Sequence, residues 1–222
     1  MFVVVLVFAS AATQPWDDPA VNSDNRLPAR TYLPRKGFVQ SLNGTWSFAW
    51  EGSADGAIAT QDPANTATPF SIDVPSCVET RGWGVPHYVN IRYPHPMTPP
   101  SIDPKYNPTM LYRRMFTVPE LWKDKRIILR FEGVASCCEV WLNRIRVGYF
   151  EDSRLPSEFD VTQSVSIGGD NELTLRVRKW CDGSYVEDQD MIRYAGVFRD
   201  VSVYAEQPDG LTDFSFHTIP DA

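Results

Sequence analysis

Hydrophobic and polar residues alternate along several short stretches of the chain. The alternation is clearest at residues 46–50, 110–118, 126–131, 173–177 and 201–204. A period of two places every second side chain on the same face, as in a β-strand with one buried face. No long stretch shows the period of an α-helix. The pattern therefore predicts an all-β fold built from many short strands.

Turn-forming residues separate these stretches, since the chain has 18 Pro and 13 Gly. Residues 140–149 predict a hairpin that turns at Asn143 and Arg144. Residues 52–70 are rich in small and turn-forming residues and predict a loop region. Residues 74–107 predict a long ordered loop rich in Pro and aromatic side chains, and such loops more often carry function than not. The seven Trp fit either a sandwich core or faces that stack on sugars.

The most polar stretch lies between two predicted strands, at residues 182–200. It carries carboxylates at Asp182, Glu187, Asp188 and Asp190. Carboxylates accept short, charge-assisted hydrogen bonds from hydroxyl groups. The stretch therefore suits recognition of a neutral polyhydroxylated ligand. A solvated acidic surface loop is the alternative that composition leaves open.

Length and charge limit the classes of partner. A chain of 222 residues can hold one full domain with a sizeable core and small additions. The formal net charge is -7 and the pI is about 5.0. Nucleic acids and anionic membranes are bound by basic faces, so we expect neither as a partner. A neutral sugar is compatible with this charge.

The cysteines are Cys77, Cys137, Cys138 and Cys181. They form no C-x-x-C pair, and their spacing suits neither a zinc site nor an ordinary disulfide framework. We therefore predict buried free thiols. Free thiols favour a reducing compartment, which gives a cytoplasmic location as the expectation.

The N-terminal region divides into an apolar run and a polar arm. Residues 1–13 resemble the apolar part of a secretory signal, but no Lys or Arg precedes them and they have roughly half the usual length. They are also too short to span a bilayer. A truncated signal, which would make the protein secreted, a gene-start artefact and a buried first strand all stay open. Residues 16–36 lack a period and predict an extended arm, with a loose terminus as the alternative.

Several segments match one family in the same order along the chain. They are WDDP at 16–19 with NR at 25–26, SLNGTWSFAW at 41–50, VPS at 74–76, YVNIRYP at 88–94, DSRLPSEFD at 152–160, and the polar stretch at 182–200. On these segments the chain resembles the N-terminal sugar-binding domain of the family 2 glycoside hydrolases, most closely the large bacterial-type β-galactosidases. The resemblance extends from about residue 16 to residue 216.

The resemblance implies a domain organisation. Residues 1–37 are an apolar segment and an extended arm, and residues 38–207 are a jelly-roll β-sandwich of the galactose-binding-domain type. Residues 208–222 are a linker followed, at 211–219, by the first strand of an immunoglobulin-like domain. An edge strand without its partners is expected to be sticky or disordered.

The resemblance also implies a function. The resembled β-galactosidases hydrolyse terminal β-D-galactosides, using two glutamates on a (β/α)8 barrel with a magnesium site nearby. No segment here matches that barrel, so we assign no catalytic residue and no magnesium ligand. Glu187, Asp188 and Asp190 do not make a convincing glycosidase pair, because acids so close on one loop do not reliably face each other across a sugar. The chain alone is predicted to be inactive.

Two residues take binding roles from the resemblance. Asn90, in the YVNIRYP segment, is expected to bond the sugar, although an Asx-turn role is the alternative. Asp190 is expected to accept bonds from galactosyl hydroxyls and to supply part of a sodium site. Arg193 and Arg199 are expected to brace the loop through ion pairs with neighbouring acids.

The sequence departs from the family at two positions. Ile192 stands where Trp is common, which changes the packing beneath Asp190. Arg144 stands where the family favours Gly, so Arg144 must accept a backbone conformation that glycine adopts more easily.

Other functions stay open on the sequence alone. The chain could be a free-standing lectin-like module, or an assembly fragment whose arm docks onto a partner chain that carries the barrel. The full-length form could be a homo-oligomer. Because Asn90 and Asp190 supply one wall of a site, we expect the chain alone to bind galactose weakly or undetectably.

Overall fold

The computed structural model describes residues 14–30, 38–88, 90, 93–187, 189–211 and 213–219. The strands are β1 (Ser23–Asp24), β2 (Val39–Ser41), β3 (Gly44–Glu51), β4 (Phe70–Val74), β5 (His87–Tyr88), β6 (Thr109–Thr117), β7 (Arg126–Phe131), β8 (Val134–Ala135), β9 (Cys137–Leu142), β10 (Ile145–Phe150), β11 (Ser157–Asp160), β12 (Asp170–Arg178), β13 (Ile192–Arg193), β14 (Gly196–Val197) and β15 (Val201–Glu206). The helical elements are one turn of α-helix, α1 (Ala57–Thr60), and 3-10 turns at Pro15–Asp17, Val78–Arg81, Pro104–Tyr106, Glu120–Trp122 and Asp182–Tyr185.

Two antiparallel sheets make the sandwich. The seven-stranded sheet has the order β1-β10-β9-β12-β6-β3-β4, and the four-stranded sheet has the order β11-β7-β15-β2. Strand β12 lies within the larger sheet and pairs with β6 along its whole length, from Asp170 opposite Thr117 to Arg178 opposite Thr109. Its other edge pairs with β9. The predicted all-β sandwich is confirmed.

One hydrophobic cluster fills the space between the sheets. The inward rows that the alternation predicts are exposed by 1% or less: Ile127, Leu129, Phe131, Leu173, Leu175, Val177, Val201 and Val203. Trp46 and Trp122 belong to the same cluster. Trp16 and Trp180 are also buried, so these Trp serve packing rather than an open sugar-stacking face.

The arm packs on the sandwich. Its strand β1 extends the larger sheet by pairing with β10, Ser23 opposite Phe150. The Arg178 guanidinium lies 3.3 Å from the centroid of the Trp16 ring. Further along, the Leu27 amide donates to the Glu158 carbonyl at 2.9 Å. Residues 14–30 are therefore fixed to the sandwich by strand pairing and side-chain packing.

A buried ion-pair network lies on the outer face of the four-stranded sheet. Arg30, from the arm, reaches Glu158 at 2.7 Å and Glu206 at 2.9 Å, and donates to the Tyr204 hydroxyl at 2.7 Å. Glu158 also accepts from Arg130 at 2.8 Å. The alternation places Arg130 opposite the core, as predicted, yet it is only 5% exposed because the arm covers it.

The hairpin between β9 and β10 turns at the two predicted residues. Asn143 has φ of 52° and Arg144 has φ of 67°, both in the left-handed region. Two such residues in succession match the twist of the flanking strands. The Asn143 side chain also donates to the Ser164 carbonyl and to Asn171, both at 2.8 Å. The hairpin and the left-handed conformation of Arg144 are confirmed.

The C-terminal stretch differs from the expected strand. Residues 211 and 213–219 form no strand in the part of the chain that the structure describes. Strand formation needs hydrogen-bonding partners, and those expected here belong to a following domain. The assignment of 211–219 to that domain stays a prediction.

The four cysteines are free thiols, as predicted. Cys137, Cys138 and Cys181 are buried, and Cys77 is partly exposed.

The predictions for the apolar N-terminal run concern residues 1–13, which lie outside the described residues. Within the described ranges, no helix is long and apolar enough to cross a membrane.

Candidate functional site

A two-stranded ribbon brings the two predicted binding loops together. Strand β5 pairs with β13 in antiparallel register, Tyr88 opposite Ile192 and His87 opposite Arg193. Asn90 lies two residues after Tyr88, and Asp190 lies two residues before Ile192. Asn90 and Asp190 therefore both lie just beyond the same end of this ribbon.

A chain of hydrogen bonds connects these residues. The Tyr88 hydroxyl donates to Asp190 Oδ1 at 2.6 Å, and Asn90 Nδ2 donates to the Tyr88 hydroxyl oxygen at 3.3 Å. All three residues are exposed. The bond to Asp190 raises the pKa of the Tyr88 phenol. We call this surface the Asn90–Tyr88–Asp190 wall.

The wall offers the groups that a sugar needs. Within the described residues, no hydrogen bond reaches Asp190 Oδ2 or the Asn90 side-chain oxygen, so both can accept bonds from hydroxyl groups. Asn90 also has a second N–H to donate. A carboxylate, an amide and a phenol in a row suit a neutral polyhydroxylated ligand.

The other described acids of the polar stretch lie away from the wall. Glu187 accepts from the Ser153 hydroxyl at 2.9 Å, and Asp182 is buried. Asp188 lies outside the described residues. The polar stretch is therefore not uniformly a solvated acidic loop, and among its described acids only Asp190 belongs to the wall.

Asp182 lies in a buried polar cluster at the base of the loop. The Tyr149 hydroxyl donates to Glu151 Oε1 at 2.5 Å, and the Cys181 thiol lies 3.1 Å from the Ser136 hydroxyl. Burial, with the nearby Cys181 and Asp182, raises the pKa of Glu151 to about 10. Glu151 is thus a neutral carboxyl at neutral pH, and it stabilises the loop base as a hydrogen-bonding group.

Aromatic side chains pack against the polar stretch at Tyr185. Tyr93 and His95 pack against Tyr185, with ring centroids 5.1 Å apart in both pairs. The Tyr93 hydroxyl donates to the Tyr185 carbonyl at 2.7 Å. His95 also packs on Trp180, and burial lowers the pKa of His95. The imidazole is therefore a neutral packing group at neutral pH.

The predicted bracing residues act through different partners. Arg199 donates to the Arg154 carbonyl at 2.7 Å and to the Glu132 carbonyl at 3.4 Å, so it braces the loop through the backbone rather than through an acid. The predicted ion pair between Arg199 and a neighbouring acid is therefore wrong, because the partners of Arg199 are backbone carbonyls. Arg193 is buried and donates to the Gln189 carbonyl at 3.5 Å. Ile192 is 45% exposed, and its role is to pair with Tyr88.

The sodium expectation fits the wall only in part. Asp190 offers an exposed carboxylate oxygen, the donor that a hard cation prefers. Such cations take several oxygen ligands, however. The one group of three potential His, Cys, Asp or Glu ligands found in the described ranges is Glu151, Cys181 and Asp182, and it does not include Asp190. Among the described residues of the wall, Asp190 is the one carboxylate that can act as a ligand.

The sequence did not identify two sets of residues as part of the site. Tyr88 lies two residues before Asn90 in the same short segment, and this spacing could have indicated its position beside Asn90. Glu79 and Lys179 hold the backbone next to β5 and β13. No local sequence pattern indicated this role, because the two residues that pair are 100 positions apart.

The fold defines a β-sandwich domain, and comparison with known proteins gives its family. The profile described as "Glycosyl hydrolases family 2, sugar binding domain" matches residues 39–208. The chain therefore belongs to glycosyl hydrolases family 2, as its sugar-binding domain. The predicted family is confirmed.

Relatives place this domain in larger proteins. A β-galactosidase of Priestia megaterium (strain DSM 319 / IMG 1521) is 39% identical over 195 residues, which cover 83% of this chain and 18% of that protein. A β-glucuronidase of an uncultured Clostridium sp. shares the fold with a TM-score of 0.57 and 22% identity, over 81% of this chain and 31% of that one. A β-glucuronidase of Faecalibacterium prausnitzii shares the fold with a TM-score of 0.55 and 21% identity, over 80% of this chain and 33% of that one. At these identities the two solved structures show the fold alone.

Proposed function

We propose that this chain is the sugar-binding domain of a β-galactosidase that hydrolyses terminal β-D-galactosides. Asn90 and Asp190 bind the galactosyl hydroxyls, and Tyr88 holds the two residues in position. The observation that carries the proposal is the Asn90–Tyr88–Asp190 wall, in which both residues share one hydrogen-bonded surface. The β-galactosidase of P. megaterium supports the substrate class.

The charge of the wall favours a galactoside over a glucuronide. A glucuronide carries a carboxylate at C6, whereas a galactoside carries a hydroxyl there. Asp190 is an exposed acid on a chain of formal net charge -7. A second carboxylate near it would be repelled, while a hydroxyl would donate to it. The β-glucuronidase neighbours do not decide this point because they are 19–24% identical.

The residues of this chain bind and orient the sugar, and they do not break its glycosidic bond. Asp190 accepts from hydroxyl groups, and Asn90 accepts and donates. A sodium ion, with Asp190 as one ligand, would supply a positive charge that orders sugar hydroxyls. Bond cleavage needs a carboxylic acid and a carboxylate on opposite sides of the glycosidic oxygen, and the wall holds only one carboxylate. We assign that pair, and any magnesium, to residues outside this chain.

A chimeric enzyme tests the proposal. Residues 16–216 replace the matching segment of the P. megaterium β-galactosidase, and hydrolysis of a chromogenic β-galactoside and β-glucuronide is measured. We expect turnover of the galactoside by the chimera and none by the 222-residue chain alone. Turnover by the purified chain, abolished by changing one of its own acids, would contradict the proposal. So would a folded chimera that prefers the glucuronide.

Two alternative roles have their own measurements. A lectin-like module would bind galactose tightly without help, whereas one wall of a site gives weak or undetectable binding in a calorimetric titration. An assembly fragment would restore activity when mixed with a barrel-containing chain that lacks this domain. The packed arm is compatible with either a single chain or such a complex.

A further inference from the structure

The contact between the two sugar-binding loops is short. Strands β5 and β13 share only two residue pairs. An isolated two-stranded ribbon is marginally stable in water. The position of Asp190 relative to Asn90 therefore depends on what holds the far ends of the two strands.

A buried ion pair touches both of those ends. Lys179 Nζ pairs with Glu79 Oε1 at 2.5 Å and donates to the Val85 carbonyl at 2.9 Å, two residues before β5. Glu79 Oε2 accepts from the Ala195 amide at 3.0 Å, two residues after β13. Each partner thus holds one strand through a backbone hydrogen bond.

The same pair is anchored in the sandwich. Lys179 directly follows β12, a strand paired on both edges within the larger sheet. The Lys179 and Glu79 side chains are 3% and 1% exposed. Burial lowers the pKa of Lys179, and the bond to Glu79 opposes that effect. A buried pair with its backbone bonds made has little freedom to move.

The geometry points to Lys179 and Glu79 as positioning residues that set the distance between Tyr88 and Asp190. We call the pair the Lys179–Glu79 clamp. Neither residue belongs to the wall, so each acts through the strands that it holds. The consequence for sugar binding rests on the proposed function, whereas the effect on the wall itself does not.

The spacing of the two strands reports the state of the wall without any sugar. Tyr88 lies opposite Ile192 in the antiparallel register, and the Tyr88 hydroxyl lies 2.6 Å from Asp190 Oδ1. If the two strands separate, both contacts are lost. Cross-strand nuclear Overhauser effects between Tyr88 and Ile192 measure this separation by NMR, with Tyr88→Phe to assign the ring signals. Asp190→Asn gives the same signals when the hydrogen bond to the carboxylate is removed.

The test variant replaces both charges by apolar side chains, Lys179→Met with Glu79→Met. Replacing a whole buried ion pair by apolar groups of similar volume is often tolerated, unlike removal of one partner. The control is Arg178→Met with Glu139→Met, which removes an ion pair joined at 2.7 Å that holds neither β5 nor β13. Glu139 also faces Arg176 at 3.5 Å and Arg178 also packs on Trp16, so this control disturbs the sandwich more broadly than the test variant does. Lys179→Arg keeps the charge and its donors and serves as the conservative variant.

We expect the cross-strand effects between Tyr88 and Ile192 to weaken in the double Met variant, and to persist in the Arg178/Glu139 control and in Lys179→Arg. A folded double Met variant with unchanged cross-strand effects would overturn the clamp. If that variant does not fold, Glu79→Gln replaces it, because it keeps the size but offers one acceptor oxygen to the two donors, Lys179 and the Ala195 amide. Cross-strand effects equal to those of the original chain would again overturn the clamp.

Sugar binding is measured separately in the active chimera. Loss of the clamp is expected to raise KM for the galactoside at least 10-fold with a smaller change in kcat, because the wall binds the sugar without reacting. If the cross-strand effects weaken but galactoside kinetics do not change, the clamp stands and the proposed function fails. If the chimera prefers the galactoside but the cross-strand effects persist in all variants, the proposed function stands and the clamp fails.

Discussion

Removal of Arg30 tests how firmly the arm is inserted into the sandwich. Arg30 contacts Glu158 at 2.7 Å and Glu206 at 2.9 Å, and the two carboxylates are only 5% and 2% exposed. Arg30→Met keeps most of the apolar stem and removes the charge. Two buried carboxylates then lose a counter-charge that water cannot replace. Removing one partner of a buried pair destabilises proteins by about 3–5 kcal/mol, and we expect a loss in that range.

The arm offers a matched control in a second ion pair. Arg146 and Asp24 also join the sandwich to the arm, but their side chains are 40% and 42% exposed. Exposed pairs contribute about 0–1 kcal/mol, so Arg146→Met is expected to change stability little. Urea unfolding followed by circular dichroism gives both free energies of unfolding. Equal losses for the two variants would refute the insertion of Arg30 between buried acids.

The pH dependence gives a second check on Arg30. Burial tends to raise the pKa of Glu158, but hydrogen bonds from Tyr204, Arg30 and Arg130 outweigh it and lower the pKa below 4.5. A lowered folded pKa contributes stability above the ordinary pKa, which is lost as the pH falls through the folded value. Arg30→Met weakens these bonds and brings the folded pKa of Glu158 closer to 4.5, so the variant is expected to lose less stability than the original chain as the pH falls below 4.5.

Three further changes test other parts of the structure. Glu151 has a folded pKa of about 10 against an ordinary 4.5, so the unfolded chain releases its proton first and stability is expected to fall as pH rises between these values. Glu151→Gln is expected to flatten that fall in urea unfolding at pH 5 and pH 8, and an unchanged slope would contradict the buried neutral carboxyl. Arg144→Gly, at φ of 67°, is expected to stabilise by up to about 1 kcal/mol. Asn143→Gly loses three side-chain hydrogen bonds and is expected to destabilise, and the reverse order in melting temperature would contradict the turn. Leu175→Ala, at 0% exposure, is expected to cost about 2–5 kcal/mol, and a loss below 1 kcal/mol would place Leu175 outside the core.

Local patterns were enough to predict much of the fold. The period of two identified the inward rows of β7 and β12, because a sheet with one face on the core imposes that period on the sequence. It did not predict that Arg130 is buried, since the outer face is covered by the arm and not by the other sheet. A charge on the polar face of a strand is normally solvated. Here the Arg130 guanidinium pairs with Glu158 at 2.8 Å and with Glu132 at 2.6 Å, and Arg30 of the arm shares Glu158.

The candidate site could also be predicted from the sequence only in part. Asn90 and Asp190 came from motif resemblance, and the pairing of β5 with β13 now explains why they lie at the same end of one ribbon. Tyr88 bridges them, yet a Tyr in a strand-like segment is as common in a core as in a site. The Lys179–Glu79 clamp depends on contacts between residues far apart in sequence, which neither composition nor periodicity encodes.

The role of Asp190 in galactose binding is the central claim, and one measurement tests it most directly. In the active chimera, kcat/KM for a chromogenic β-galactoside is compared for Asp190 and Asp190→Asn as the sodium concentration is varied. A hydrogen bond to a charged group contributes about 1.5–3 kcal/mol, so we expect a loss of roughly 10- to 100-fold together with a weaker response to sodium. Unchanged kcat/KM and an unchanged sodium response in a folded variant would contradict the account.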